Sequence, residues 1–167
     1  SFVVPVLDDL SSAEDVQVIG VYTPPARPRG RGRSSEMPSV KARGLELGLE
    51  VYQPESLRSP EVQSELNSLK ADVFVVAAYG KLLPPPVLET PSHGCLNLHP
   101  SLLPRHRGPS PVVTAIEEGD EETGISLMLL DRGMDTGPIV AQRRYPLTFR
   151  ETSDALTGTL FKLGGEL

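Results

Sequence analysis

The sequence predicts an α/β domain built on a doubly wound, largely parallel sheet, and three observations carry that prediction. Short β-branched runs at 16–23 and 72–80 are separated by segments of helical period. The second run, DVFVVAAYG, is apolar almost throughout, as a parallel strand covered on both faces requires. Beyond it, a strand at 94–99, a helix near 111–118 and strands at 124–131 and 138–147 keep strands and helices interleaved.

Each element has a local reason. At the start, FVVPVLDDL sets Phe2, Val3, Val6, Leu7 and Leu10 near helical spacing, so it reads as a helix already under way, and Ser1 is not an initiator methionine. The closing segment, LTGTLFKLGGEL, stops inside another amphipathic stretch, and both ends are expected to be cut from a longer protein. Between the first two strands, SVKARGLELGL and SPEVQSELNSLK are predicted helices. The second has Ser59 as N-cap candidate and Pro60 at the first helical position, where a missing N–H costs nothing. A last helix is predicted from Thr152. Neither a repeat nor an internal linker divides the chain.

A chain of 167 residues that is 38% hydrophobic can bury a sizeable core as one domain. Its formal charge of −6 and pI near 5.1 exclude a generally basic, nucleic-acid-coating protein. One stretch opposes that average. TPPARPRGRGRSSEMPSVKAR is rich in proline, glycine and arginine and is predicted to be a long surface loop. Residues 27–43 hold Arg27, Arg29, Arg31, Arg33, Lys41 and Arg43 against Glu36 alone, a local charge of +5. Such a concentration points to a polyanion met at one place; a solvated loop is the alternative. The single cysteine, Cys95, excludes an intramolecular disulfide, and three scattered histidines offer no zinc-site spacing, so no metal is expected. No run of 18 apolar residues and no leader pattern is present, so neither a membrane span nor a signal peptide is expected, and a reducing compartment fits.

The candidate chemistry lies in GCLNLHPSLLPRHRG, residues 94–108. Side chains alternate along a strand, so Cys95, Asn97 and His99 share one face while Leu96 and Leu98 take the other. Two polar groups thus converge where the strand runs into a proline-bounded loop. Downstream, DRGMDTGPIV sets Asp131 and Asp135 in a glycine-rich turn between two strands. Asp-Thr-Gly also occurs in aspartic proteases, but here it is single and the pattern is not all-β. A histidine can exchange a proton near neutral pH, a nearby carboxylate favours its charged form, and an asparagine amide can donate to a developing oxyanion. No activated serine or cysteine nucleophile is evident. The set suits direct attack by a substrate amine on a carbonyl without a covalent enzyme adduct.

NLHPSLLPRHRGPSP, DRGMDTGPIVAQ, VVAAYGKLLP and YQPESLR together resemble the formyltransferases that use 10-formyltetrahydrofolate, over essentially the whole chain. The resemblance implies a Rossmann-like catalytic domain spanning 1–167 and a catalytic trio of Asn97, His99 and Asp135, with Asp131 the rival carboxylate. It implies that Ser101, Leu102, Leu103 and Pro104 supply backbone contacts to the folate, and that 78–83 and 130–135 line its pterin pocket. His93 and His106 do not match the catalytic position and are read as surface residues.

Members acting on glycinamide ribonucleotide or nucleotide sugars, and a deformylase, share this core. The Arg-Gly-Arg-Gly-Arg loop with the following PSVK resembles the loop by which the branch that formylates initiator methionyl-tRNA meets the acceptor stem, with PARP in place of Asp-Arg-Pro. The resemblance therefore implies methionyl-tRNA as acceptor, with Arg27, Arg29, Arg31, Arg33 and Lys41 as nucleic-acid contacts. It also implies a monomer in the bacterial cytoplasm, or in a mitochondrion or plastid for a eukaryotic source. The resemblance further implies a strand ahead of the segment matching FVVPVL and, in the methionyl-tRNA branch, a C-terminal tRNA-binding domain, both expected to lie outside this sequence. In a doubly wound sheet that first strand commonly lies in the middle, so the strands flanking its place are expected either to border a gap or to close over it.

Overall fold

The computed structural model describes residues 2–25 and 37–167. Its elements run α1 (Val4–Ser12), β1 (Val21–Tyr22), α2 (Ser39–Glu46), β2 (Val51–Tyr52), α3 (Pro60–Ser68) and β3 (Phe74–Ala77). There follow α4 (Pro85–Leu88), β4 (Cys95–His99), α5 (Pro111–Glu117), β5 (Glu122–Leu129), β6 (Ile139–Pro146) and α6 (Ser153–Gly165).

The α/β expectation agrees with this order. Strands β1 and β2 form a parallel pair, and β3-β4-β5-β6 form a second sheet in which β3 and β4 are parallel. Strands β5 and β6 run antiparallel to their neighbours. The short turn 130–138 between them explains their relation, because a parallel return needs a crossover of a dozen residues or more. Two elements were not marked in the sequence. β2 is only two residues long, and α4 is a single turn begun by Pro85 and Pro86. The predicted strand 16–23 shortens to Val21–Tyr22, where Val21 N–H donates to Glu50 O and Thr23 N–H to Tyr52 O.

Between β1 and β3 lies a cavity of about 1050 Å³, lined by Val18, Ile19 and Val21 on one side and Val73, Val75 and Val76 on the other. No hydrogen bond joins the two sheets among the described residues. Strands β1 and β3 thus border a gap rather than closing over it, and Val75 on β3 is 39% exposed.

The main core joins α1, β4, α5, β5 and α6 through Val6, Leu98, Val112, Ile125, Leu156, Leu160 and Phe161. A second cluster of Leu57, Leu66 and Val87 sits beneath α3 and α4. Helix α6 approaches the sheet closely at Gly164, where a Cβ would lie 2.7 Å from Ile125 Cδ1. Thr152 caps α6 by accepting from Ala155 N–H at 3.3 Å. Ser59 occupies the N-cap position of α3 and Pro60 its first turn, but the Ser59 hydroxyl donates to the Glu61 carboxylate instead of capping. Helix α5 ends in a Schellman motif. Gly119 takes a φ of 67°, its N–H donates to Ile116 O, and Asp120 N–H donates to Ala115 O. That ending fixes where Asp120 stands.

Candidate active site

Strand β4 sits inside its sheet, between β3 and β5, and carries Leu98 into the core. Asn97 lies in register with Val76 and Met128, and His99 with Ser126. His99 is buried, at 5% exposure. Among the described residues the Asn97 amide has no hydrogen-bond partner, so both its donors are available to a ligand.

The His99 ring is held from two sides. Its Nε2 lies 2.9 Å from the backbone carbonyl of His106, and its Nδ1 lies 3.6 Å from Asp135 Oδ2. A carbonyl can only accept, so Nε2 carries a proton and Nδ1 is the nitrogen that exchanges one. Asp135 adopts a φ of 53°, and its Oδ2 also accepts from Gly108 N–H at 2.8 Å. The turn after β5 is thereby tied to the loop after β4. Asp131 does different work. Its carboxylate accepts from Thr136 Oγ1 and from Gly133 N–H at 2.7 and 2.8 Å, closing the turn on itself. The Thr136 and Gly133 bonds hold its carboxyl below the usual range despite the opposing cost of desolvation. Of the two aspartates in that turn, Asp135 is the one beside His99.

The loop after β4 is bonded to its own fold. Ser126, wholly buried on β5, donates through Oγ to Ser101 O at 2.6 Å and accepts from Leu103 N–H at 3.1 Å. Gln142 on β6 donates to the same oxygen at 2.8 Å and to Leu103 O at 3.0 Å. Ser101 N–H reaches back to His99 O, and the Ser101 hydroxyl donates to Arg105 O. This narrows the expectation for 101–104. The backbone groups of Ser101 and Leu103 are already engaged, whereas Leu102 N–H and Pro104 O have no partner among the described residues.

Ser126 and Gln142 were not found from the sequence. Ser126 lies outside the quoted motifs and Gln142 only closes one of them, so what reveals their part is the register, which sets Ser126 opposite His99 and Gln142 opposite Ser126. His106 is a correction. It was read as a surface residue, but its side chain is 9% exposed because Asp120 Oδ2 accepts from its Nε2 at 2.6 Å. His93 is exposed, as expected. Cys95 is buried, and burial pushes its thiol up to about 11, which leaves it protonated and unreactive at neutral pH.

Ala78, Tyr79 and Leu83, from the expected pterin segment, line the cavity between the sheets; Asn97, His99 and Asp135 do not. Of the basic loop, Arg27, Arg29, Arg31 and Arg33 lie outside the described residues. Lys41 donates to Gln53 Oε1. Arg43 is spent internally on Asp8 and Glu46, at 2.6 and 3.0 Å. No helix among the described residues is long and apolar enough to cross a membrane.

This architecture is shared with solved structures. Glycinamide ribonucleotide transformylase 1 from Symbiobacterium toebii matches over 99% of this chain and 79% of its own, with a TM-score of 0.79. At 21% identity that likeness defines the fold class. The family described as formyl transferase matches residues 1–167, and the chain belongs to it. Within reach at much higher identity are a methionyl-tRNA formyltransferase of Dehalococcoides mccartyi, 52% identical over 92% of this chain and 49% of its own length, and one of Roseiflexus, 49% identical over 100% and 51%. The chain spans about half the length of these curated relatives.

Proposed function

We propose that residues 1–167 act as the catalytic domain for transfer of a formyl group from 10-formyltetrahydrofolate to the amino group of initiator methionyl-tRNA. The observation that carries the chemistry is the meeting of His99 Nδ1 with Asp135 Oδ2 beside an unpartnered Asn97 amide. High identity to methionyl-tRNA formyltransferases supports the choice of acceptor.

In this reading the amine attacks the formyl carbon directly, and Asn97 Nδ2 donates to the oxygen on which negative charge develops. His99, with Nε2–H committed to the His106 carbonyl, stabilises that oxygen as imidazolium. Asp135, 3.6 Å from the ring, accepts through a water the proton that the attacking amine loses. The folate supplies the activated formyl group. Leu102 N–H and Pro104 O are the loop groups open to bind it. Arg27, Arg29, Arg31, Arg33 and Lys41 meet the acceptor stem; Lys41 keeps two further donors beyond its bond to Gln53. The same reading makes the protein a monomer of the bacterial cytoplasm.

The test is formyl transfer to methionyl-tRNA by the native full-length protein, with folate release measured in the absence of acceptor. Asn97→Ala and His99→Ala should each lower kcat on the order of 100-fold or more, because each removes a contact to charge present mainly in the transition state. Asp135→Asn should lower kcat, and Asp131→Asn should do much less. Near-normal turnover in the Asn97 and His99 variants with only a raised KM would refute the assignment. Folate release as fast without acceptor as with it would point to a hydrolase.

A further inference from the structure

The fixed tautomer of His99 depends on the position of one carbonyl, that of His106, and His106 is held in an unusual way. Its backbone lies in the left-handed region, at φ 52°, which histidine tolerates better than most residues but does not favour. Its side chain is anchored as well. The ring Nε2 donates to Asp120 Oδ2 at 2.6 Å, and Arg105 Nη2 donates to Asp120 Oδ1, also at 2.6 Å. A carboxylate only accepts, so both bonds run into Asp120. Burial works against the charge on Asp120, yet the bonds from His106 and Arg105 outweigh it and keep the carboxyl below its usual range. Asp120 itself stands on the Schellman ending of α5, a fixed point of the core. The chain of contact therefore runs from α5 through Asp120 and the His106 ring to the His106 carbonyl and His99 Nε2.

We propose that Asp120 and His106 are positioning residues for His99: the carboxylate anchors the His106 ring so that the His106 carbonyl keeps the proton of His99 on Nε2 and its exchanging nitrogen, Nδ1, toward Asp135. The consequence for rate rests on the reading of His99 as catalytic; the consequence for the tautomer does not. Arg105 completes the anchor and is largely exposed, so the carboxylate is the part that matters.

The conservative substitution distinguishes this from a plain structural role. In Asp120→Asn, the amide oxygen can accept from Arg105 while its Nδ2–H donates to Nε2 of a neutral His106 carrying its proton on Nδ1. The anchor then survives with the His106 tautomer reversed. In Asp120→Ala it is lost. His106→Asn keeps a residue that tolerates the left-handed backbone but is too short to reach Asp120, so it too releases the anchor.

Ring nitrogen spectra of the full-length protein labelled with ¹⁵N-histidine, with His99 assigned by the signal that disappears in His99→Ala, read both rings directly. In the native protein the neutral His99 ring should carry its proton on Nε2. Asp120→Ala and His106→Asn should both shift His99 toward averaging of its two tautomers and lower kcat roughly 10- to 100-fold with KM for the folate unchanged, as expected when a reacting group is displaced by a fraction of an ångström. Asp120→Asn should return the His99 spectrum and most of kcat while reversing the proton on His106. An unchanged His99 spectrum in Asp120→Ala, or in His106→Asn where the alanine variant does not fold, overturns the proposal whatever the rate does. A shifted His99 spectrum at native kcat supports the anchor and overturns instead the catalytic reading of His99.

Discussion

Replacing Ser126 with alanine should be among the most damaging single-atom changes in the molecule, because its hydroxyl uses its full bonding capacity. One donated bond goes to Ser101 O, and two accepted bonds come from Leu103 N–H and Gln142 Nε2. Ser126 and Ser101 are wholly buried and Leu103 nearly so, and Gln142 reaches only Leu103 O without the hydroxyl. Alanine therefore strands one buried backbone donor and one buried backbone acceptor. At roughly 1–3 kcal/mol for each stranded group, the loss comes to about 2–6 kcal/mol. That is a large part of the ~5–15 kcal/mol net stability of a domain, and at about 2–4 °C per kcal/mol the melting temperature should fall by at least ~4 °C. Urea unfolding of Ser126→Ala, Gln142→Ala and the double variant measures the loss. The two losses should fall short of additivity by about 0.5–3 kcal/mol, because the residues share one network. A loss below ~0.5 kcal/mol for Ser126→Ala, or strict additivity, would refute the view that this hydroxyl fixes the loop after β4.

Further outcomes follow from other sites. Gly124→Ala should destabilise by about 1–3 kcal/mol in the same unfolding assay, since its Cβ would collide with Arg143 O and lie 2.6 Å from Leu102 Cδ2. Glu151 is held down to about 2, first by Thr148 N–H and then by the Thr148 hydroxyl. A depressed carboxyl adds stability that is full above its unfolded value and is lost as pH falls through the folded one. Melting temperatures of Glu151→Gln and the native protein should therefore differ most above about pH 4.5 and converge toward about pH 2. Replacing Arg29, Arg31 and Arg33 with alanine should weaken methionyl-tRNA binding and flatten its salt dependence by about one unit of slope per lost phosphate contact, with folate binding unaffected. Equal losses for both ligands would indicate a folding defect.

The sequence by itself determined what depends on neighbours along the chain. Period-two alternation put Asn97 and His99 on one face of β4, a helical period marked α1, α2, α3 and α6, and the motif after His99 carried the family. Each rests on residues a few positions apart, whose relative directions the local backbone fixes. Short elements escaped it, because β2 and α4 hold too few residues to express a period. Only the tertiary structure decided the long-range partners. Asp131 and Asp135 share one turn, and the tie from Asp135 to Gly108, across 27 residues, brings Asp135 rather than Asp131 to His99. His106 looked exposed until the end of α5 delivered Asp120 to its ring, and Gln142 reached Leu103 across 39 residues through the register of β5 and β6. Lys41 belonged to a run of charge in the sequence, yet in the fold it meets Gln53, while Arg43 is neutralised by Asp8. Such pairs are set by how sheets and helices pack, and no local pattern of residue types encodes which distant side chain will arrive.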